Sequence, residues 1–118
     1  SEVDDETRSF FSDSFAVIAV VLVGGATQST GLVGAYVGDQ LRGVASAMSA
    51  PIPPVPGWAY AGQYAFSTLV YGENGDEITF VYQDDSGTQF SLAASQTLTF
   101  VADGDAGSYQ FPIELTVS

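Results

Sequence analysis

The 118-residue chain contains no cysteine and no histidine. Without cysteine there is no disulfide and no thiol nucleophile. Without histidine the commonest general base and the usual zinc and copper ligands are missing as well. Cations are almost as scarce, since Arg8 and Arg42 stand against 14 Asp and Glu, for a net charge of −12. Neutralising a phosphate backbone takes several Lys or Arg, so nucleic acid is excluded as a partner, and anionic membrane surfaces are excluded on the same ground. A surface of this charge repels its own copies and attracts divalent cations. Long apolar runs are absent too. The longest, 15–23, falls far short of the roughly 20 residues a helix needs to cross a bilayer, so no membrane span is expected. The one Asn, Asn74, is followed by Gly75 and Asp76, which leaves no N-glycosylation sequon. Met48 is the only Met, so Ser1 is expected to arise by processing, for example signal-peptide cleavage, or by fragmentation.

What remains is apolar and aromatic. Hydrophobic residues make up 46% of the chain, with eight Phe, six Tyr and one Trp, enough for a single core in a chain of this length. Residues 1–14 hold Glu2, Asp4, Asp5, Glu6 and Asp13 and read as an acidic tail or donor segment, with Phe10 and Phe11 suggesting that its end docks. Residues 15–118 read as one β domain. Short runs of Val, Phe, Tyr and Thr alternate with Gly, Asp and Ser clusters, and no segment sustains a helical period. Eight strands are expected, at 15–23, 32–37, 41–48, 64–71, 77–82, 88–92, 96–101 and 113–117. Tight hairpins are expected at 38–39, 73–76 and 84–87, where Gly, Asp and Asn tolerate positive φ. The Pro-rich stretch 51–56 is expected to cross between sheets in extended form. The implied class is all-β, an antiparallel two-sheet β-sandwich of Ig-like or jelly-roll-like type.

Two strands break the alternation that a two-layer sandwich requires. In FAVIAVVLV both the Phe15, Val17 set and the Ile18, Val20 set are apolar, and LVGAYV is apolar on both faces as well. A strand apolar on both faces needs two covers. The cover is either a loop of the same chain, such as the Pro-rich stretch with Trp58 and Tyr60, or a neighbouring subunit. The second alternative makes Phe10, Phe11, Phe15, Val17, Ile18 and Val20 candidate interface residues.

Other candidate sites are sparse. Asp103 and Asp105 place two carboxylates in a loop that could hold calcium, though not at EF-hand spacing, and Asp in turns also serves the local backbone. Trp58, Tyr60 and Tyr64 offer either a platform for a glycan ring or core packing. Arg42 reads as a structural anchor, paired with a carboxylate such as Asp39 or with loop carbonyls. Acids that sit in turns lack the burial that would raise a carboxyl pKa for glycoside hydrolysis, and no G-x-S-x-G, P-loop or dinucleotide motif is present. No catalytic activity is expected.

The segments GAYVGDQLRGVAS, VYGENGDEITF and FVADG, with the first strand AVV, resemble a β-sandwich module that recurs in secreted and cell-surface proteins of aquatic microbes. That resemblance spans about residues 15–117. It implies an extracellular or cell-surface location and a framework role for Arg42-Gly43 and Asp103-Gly104. The expected function is a homopolymeric subunit of an extracellular filament or surface assembly, joined head to tail by β-strand addition from the lead-in or the C-terminal strand. The alternative is a monomeric carbohydrate- or protein-binding module of adhesin type; no cofactor is expected, calcium being the one candidate.

Overall fold

The computed structural model describes residues 13–117. They form ten strands and no helix: β1 (Asp13–Val23), β2 (Ala26–Thr27), β3 (Leu32–Val37), β4 (Gln40–Ser46), β5 (Phe66–Gly72), β6 (Glu77–Gln83), β7 (Gln89–Ala94), β8 (Leu98–Thr99), β9 (Asp105–Ala106) and β10 (Ile113–Val117). The strands expected at 32–37 and 113–117 are β3 and β10. The stretch 96–101 shrinks to β8. The two-residue strands β2 and β9 are too short to leave a periodic signal.

The strands join in one curled mixed sheet, a half-barrel, in the order β2-β1-β10-β7-β6-β3-β4, with β5 and β9 also on β1 and β8 on β6. An all-antiparallel arrangement was expected, but β10 and β9 both run parallel to β1. The continuity comes from β1. Its first part, through Ala19, pairs antiparallel with β5, and from Ala19 to Leu22 it pairs with β10. Strands twist as they lengthen, so eleven residues serve two walls in succession. With β9 at Ala16 and Val17 and β2 at Leu22 and Val23, β1 has neighbours along both edges.

The two ends of the sheet meet where β4 faces β5. A single bridge joins Ala47 to Phe66. Beyond it the seam is closed by side chains, with Thr68 Oγ1 donating to the Val44 carbonyl at 3.1 Å. A Cβ on Gly43 would lie 2.7 Å from the Leu69 carbonyl oxygen, so only glycine permits this approach. Of the three expected hairpins, 38–39 joins paired β3 and β4, and 84–87 joins paired β6 and β7. The third, 73–76, turns a corner instead, because β5 pairs with β1 and β6 with β3. Asn74 Oδ1 there accepts from the Ala102 amide at 2.7 Å, tying the corner to the turn between β8 and β9.

The main core fills the inside of the curl. Phe15, Val17, Ala19 and Val21 from β1 meet Phe66, Phe80, Tyr82, Phe100 and Leu115. Phe66 and Tyr82 stand edge to face with centroids 6.3 Å apart. A second, smaller cluster lies outside β1, where Val20, Ile52 and Ala65 are buried together with Ile18, Met48, Trp58 and Tyr60. The segment that supplies it, 47–65, is not an extended crossover. Its base is pinned by the Met48 amide on the Ala65 carbonyl, and its middle by the Ile52 amide on Gln63 and the Gly62 amide on Ile52. Ala47 and Phe66 are bridged, so the loop must return to where it left, and it folds back as a flap over β1.

If the flap is part of the folded unit, truncating its anchor should destabilise the whole domain. Ile52→Ala, at a site 2% exposed, is expected to cost about 2–5 kcal/mol in urea denaturation. Val55→Ala, on the same loop but 37% exposed, should stay within about 0.5 kcal/mol. Equal, small effects would mean that the flap does not fold with the sheet.

Candidate functional site

Of the residues read as a subunit interface, Phe10 and Phe11 lie outside the described residues. Phe15 and Val17 point into the chain's own core, and Val20 and Ile18 lie beneath the flap. The outer face of β1 is thus covered by its own chain. Trp58 and Tyr60 come together in that cover, while Tyr64 is half-buried and belongs to neither cluster. The Tyr60 hydroxyl donates to the Glu114 carboxylate of β10, which fastens the flap to the sheet. That bond, with burial and the carboxylate's charge adding to it, pushes the Tyr60 phenol from its ordinary 10.0 up to about 12. Between the flap and the β1–β2 hairpin lies an open cleft of about 520 Å³ lined by Leu22, Thr27, Tyr60 and Gln63, and the side chains of Thr27 and Gln63 bond to each other across it.

The outer face of β3 is different. A groove of about 180 Å³ runs across β4, β3, β6 and the start of β7, lined by Leu32, Gly34, Tyr36, Leu41, Val44 and Val81, with Gln83 and Gln89 at its β7 end. Gly34 provides the depression: a Cβ there would lie 2.9 Å from Tyr36 Cε1, because the Tyr36 and Leu41 side chains lean across it. This is the second of the two doubly apolar strands, and among the described residues no segment caps it as the flap caps β1. On another part of the surface, the turn between β9 and β10 presents Phe111, 73% exposed. The turn is held by the Ser108 amide on the Phe111 carbonyl and by Ser108 Oγ accepting from the Phe111 amide. Gly107 at its base has φ +81, and a Cβ there would lie 2.1 Å from the Ile18 carbonyl, so the turn sits hard against β1.

Arg42 is an anchor, as expected, but the carboxylate it meets is Asp76. Its guanidinium bonds Asp76 Oδ2 at 3.2 Å, the Tyr71 carbonyl at 3.1 Å and Gln40 Oε1 at 2.7 Å. Asp39 stands exposed on the turn. The reason is a register shift in the β3–β4 ladder, which pairs Ala35 with Gly43 and Tyr36 with Leu41 and leaves Arg42 as the extra residue. A bulge of this kind re-aims its side chain, here toward the β5 end of the seam. Gly72 makes room, since a Cβ there would fall 2.9 Å from Asp76 Oδ2 and 3.1 Å from the Arg42 nitrogen.

Asp103 and Asp105 are both exposed. Asp103 has φ +60 and donates its amide to the Ser14 carbonyl, while Asp105 lies in β9 beside Ala16. Among the described residues no three carboxylates gather into a cation site. Asp84 works as a turn acceptor: its carboxylate takes the Ser86 hydroxyl and the Ser86 and Thr88 amides, and the Ser86 hydroxyl leads in holding its pKa below the usual value. Sequence reasoning did not single out the groove as a site, nor Phe111, Asp76 or Glu114. The doubly apolar LVGAYV was the available signal for the groove. Phe111 lies outside the strand expected at 113–117 and carried no signal of its own.

No protein-family model, no curated protein and no solved structure matches this chain. Among the described residues, no helix is long and apolar enough to cross a membrane.

Two measurements follow from these contacts. Arg42→Gln is expected to lower unfolding free energy by about 1.5–3 kcal/mol. Asp76→Asn should reproduce most of that loss, and exposed Asp39→Asn should change it by less than about 0.5 kcal/mol; an equal loss from Asp39→Asn would reassign the partner. The raised Tyr60 phenol also gives a sign for alkaline stability. A group whose folded pKa exceeds its unfolded value stabilises fully below the unfolded pKa and ceases to do so as pH rises through the folded one. The window therefore runs from 10.0 to about 12. Tyr60→Phe should remove the latest-ionising phase from a tyrosinate absorbance titration and flatten the stability loss in that window.

Proposed function

We propose that this chain is a structural subunit of an extracellular filament or surface assembly, joined head to tail to further copies. The observation that carries the reading is the contrast between two apolar outer faces. That of β1 is sealed by the chain's own flap, whereas the groove over β3 is left open within the chain. The groove's side chains Leu32, Tyr36, Leu41, Val44 and Val81 are half-buried within the chain, and a neighbouring copy would complete their cover. The absence of histidine and cysteine supports a non-catalytic role, and the acidic surface suits an assembly that must not associate indiscriminately. In this reading the donor strand of the expected β-addition is the lead-in around Phe10 and Phe11, because β1 is already engaged by β5, β9, β10 and β2 in turn along its length. The two walls of the curled sheet then act as the layers of the expected Ig-like or jelly-roll-like sandwich.

A second reading, a monomeric adhesin-type module for glycan or protein ligands, draws on the cleft of about 520 Å³ beside Tyr60, with Asp103 and Asp105 as the place for calcium.

Negative-stain electron microscopy of the native material, without denaturant, separates the two. Fibres with a repeat near one domain length are expected. A monodisperse monomer whose melting temperature shifts with calcium or a glycan would replace the first reading with the second.

A further inference from the structure

We propose that Asn74-Gly75, at the corner between β5 and β6, is a site of spontaneous covalent modification, deamidation to isoaspartate, and that opening of the corner gates it. Asn74 is the one Asn of the chain, and a glycine follows it. Glycine has no Cβ, so nothing shields its backbone nitrogen from the preceding side chain. The chemistry needs only base and water. Gly75 N loses its proton to solvent and attacks Asn74 Cγ, so that the N–Cγ bond forms, the Cγ–Nδ2 bond breaks and ammonia departs. Water then opens the resulting succinimide. Cleavage of its N–Cγ bond leaves Asp at 74, whereas cleavage between that nitrogen and the main-chain carbonyl carbon routes the backbone through Cβ and Cγ, which is isoaspartate. One water is consumed and one ammonia released, with no change of oxidation state.

The geometry of the corner supplies the gate. Asn74 and Gly75 are both exposed, so base and water reach them. Each reacting group is nevertheless engaged elsewhere: the Gly75 amide donates to the Phe100 carbonyl at 3.0 Å, and Asn74 Oδ1 accepts from the Ala102 amide at 2.7 Å. The turn is closed as well. Its Asp76 amide donates to the Glu73 carbonyl at 3.1 Å, and Gly75 has φ +94, at the position where a type II turn takes its glycine. Asp76 Oδ2 in turn accepts from the Glu73 amide at 3.0 Å while it pairs with Arg42.

Two of these contacts act in opposite directions. The Ala102 amide polarises the Asn74 carbonyl as an oxyanion donor would, which favours attack. The hold on the nucleophile decides the outcome, because no bond can form until the Gly75 N–H leaves Phe100. Reaction therefore proceeds through local opening of the corner rather than global unfolding. Only a few hydrogen bonds must break, so folding is expected to slow it about tenfold, the factor that about 1.4 kcal/mol of opening supplies. The product bears on the seam. Isoaspartate lengthens the main chain between Glu73 and Asp76 and frees a carboxylate beside both, which works against the hold of Asp76 on Arg42.

The whole chain, folded and in urea, is incubated at mildly alkaline pH, and residue 74 is followed by peptide mass mapping. Conversion of amide to acid changes the mass, whereas isomerisation at Asp103-Gly104 does not. Folded protein should react about tenfold more slowly than unfolded, and that slowing should match the hydrogen-exchange protection of the Gly75 amide. Asp76→Ala, which removes the Glu73 and Arg42 contacts, should bring the folded rate close to the unfolded one, while Ile52→Ala, which weakens the flap, should leave it unchanged. Equal rates in folded and unfolded wild type overturn the gate. Acceleration in Ile52→Ala as large as in Asp76→Ala overturns local opening. If Asp76→Ala does not fold, wild type decides alone, and a slowing far greater than the Gly75 protection has the same meaning. Isoaspartate-enriched protein should also denature at lower urea than fresh protein, and an unchanged midpoint overturns the effect on the seam.

Discussion

The strand β1 is apolar on both faces, and this one property constrains most of what surrounds it. Each Val, Ile or Phe taken out of water contributes about 1.5–3 kcal/mol, and domains of this size retain only about 5–15 kcal/mol of net stability. Leaving either face wet would therefore consume much of the total. The inner face is covered by curling the sheet until Phe66, Phe80, Tyr82, Phe100 and Leu115 close over Phe15 and Val17. The outer face is covered by a loop that departs after β4 and returns at β5, laying Ile52, Trp58 and Tyr60 across Val20 and Ile18. The Ala47–Phe66 bridge at the loop's base is also the first rung of the seam, so covering β1 and closing the sheet are one event.

Past that bridge the seam needs another solution, because β4 and β5 do not continue as a ladder. Backbone carbonyls left unpaired there would each cost about 1–3 kcal/mol. Thr68 takes the Val44 carbonyl and Arg42 takes that of Tyr71. Arg42 is the one Lys or Arg within 13–117, and a bulge aims it into this joint with Asp76 as counter-charge. Gly43 and Gly72 belong to the same arrangement. The first lets the Leu69 carbonyl approach and the second leaves room for the ion pair. The GDQLRG segment thus combines a turn, a bulge, a cation and a space-making glycine at the place where the sheet's ends come together.

Alternation and turn residues made the all-β class and the longer strands legible, and β3 and β10 appear at their expected bounds. Double apolarity correctly marked β1 as needing two covers. The pairing of β1 with two walls was not legible, since one strand switching partners midway looks in sequence like one strand with one partner. The single curled sheet and its parallel β1–β10 pairing were hidden for that reason. Proximity in sequence favoured Asp39 as the Arg42 carboxylate, and only the bulge and the chain's return at β5 bring Asp76, 34 residues away, into reach. Phe111 lies just ahead of the strand expected at 113–117, where the sequence carries no signal for a braced turn. The Ser108 turn ends just before β10 begins, so Phe111 belongs to that turn and is exposed to solvent.

Charge and apolar surface are arranged in complementary ways on this molecule. Three of its carboxylates have local structural roles: Asp76 with Arg42, Asp84 with the 84–88 turn, Glu114 with Tyr60. Others, such as Asp39, Asp85, Asp103 and Asp105, lie exposed on turns and short edges. Those exposed charges guard the backbone edges at which sheet proteins otherwise stick together. Repulsion of that kind is indiscriminate and falls off within about 8–10 Å at physiological salt. It therefore raises the cost of most encounters between copies while doing little against a contact made through uncharged surface.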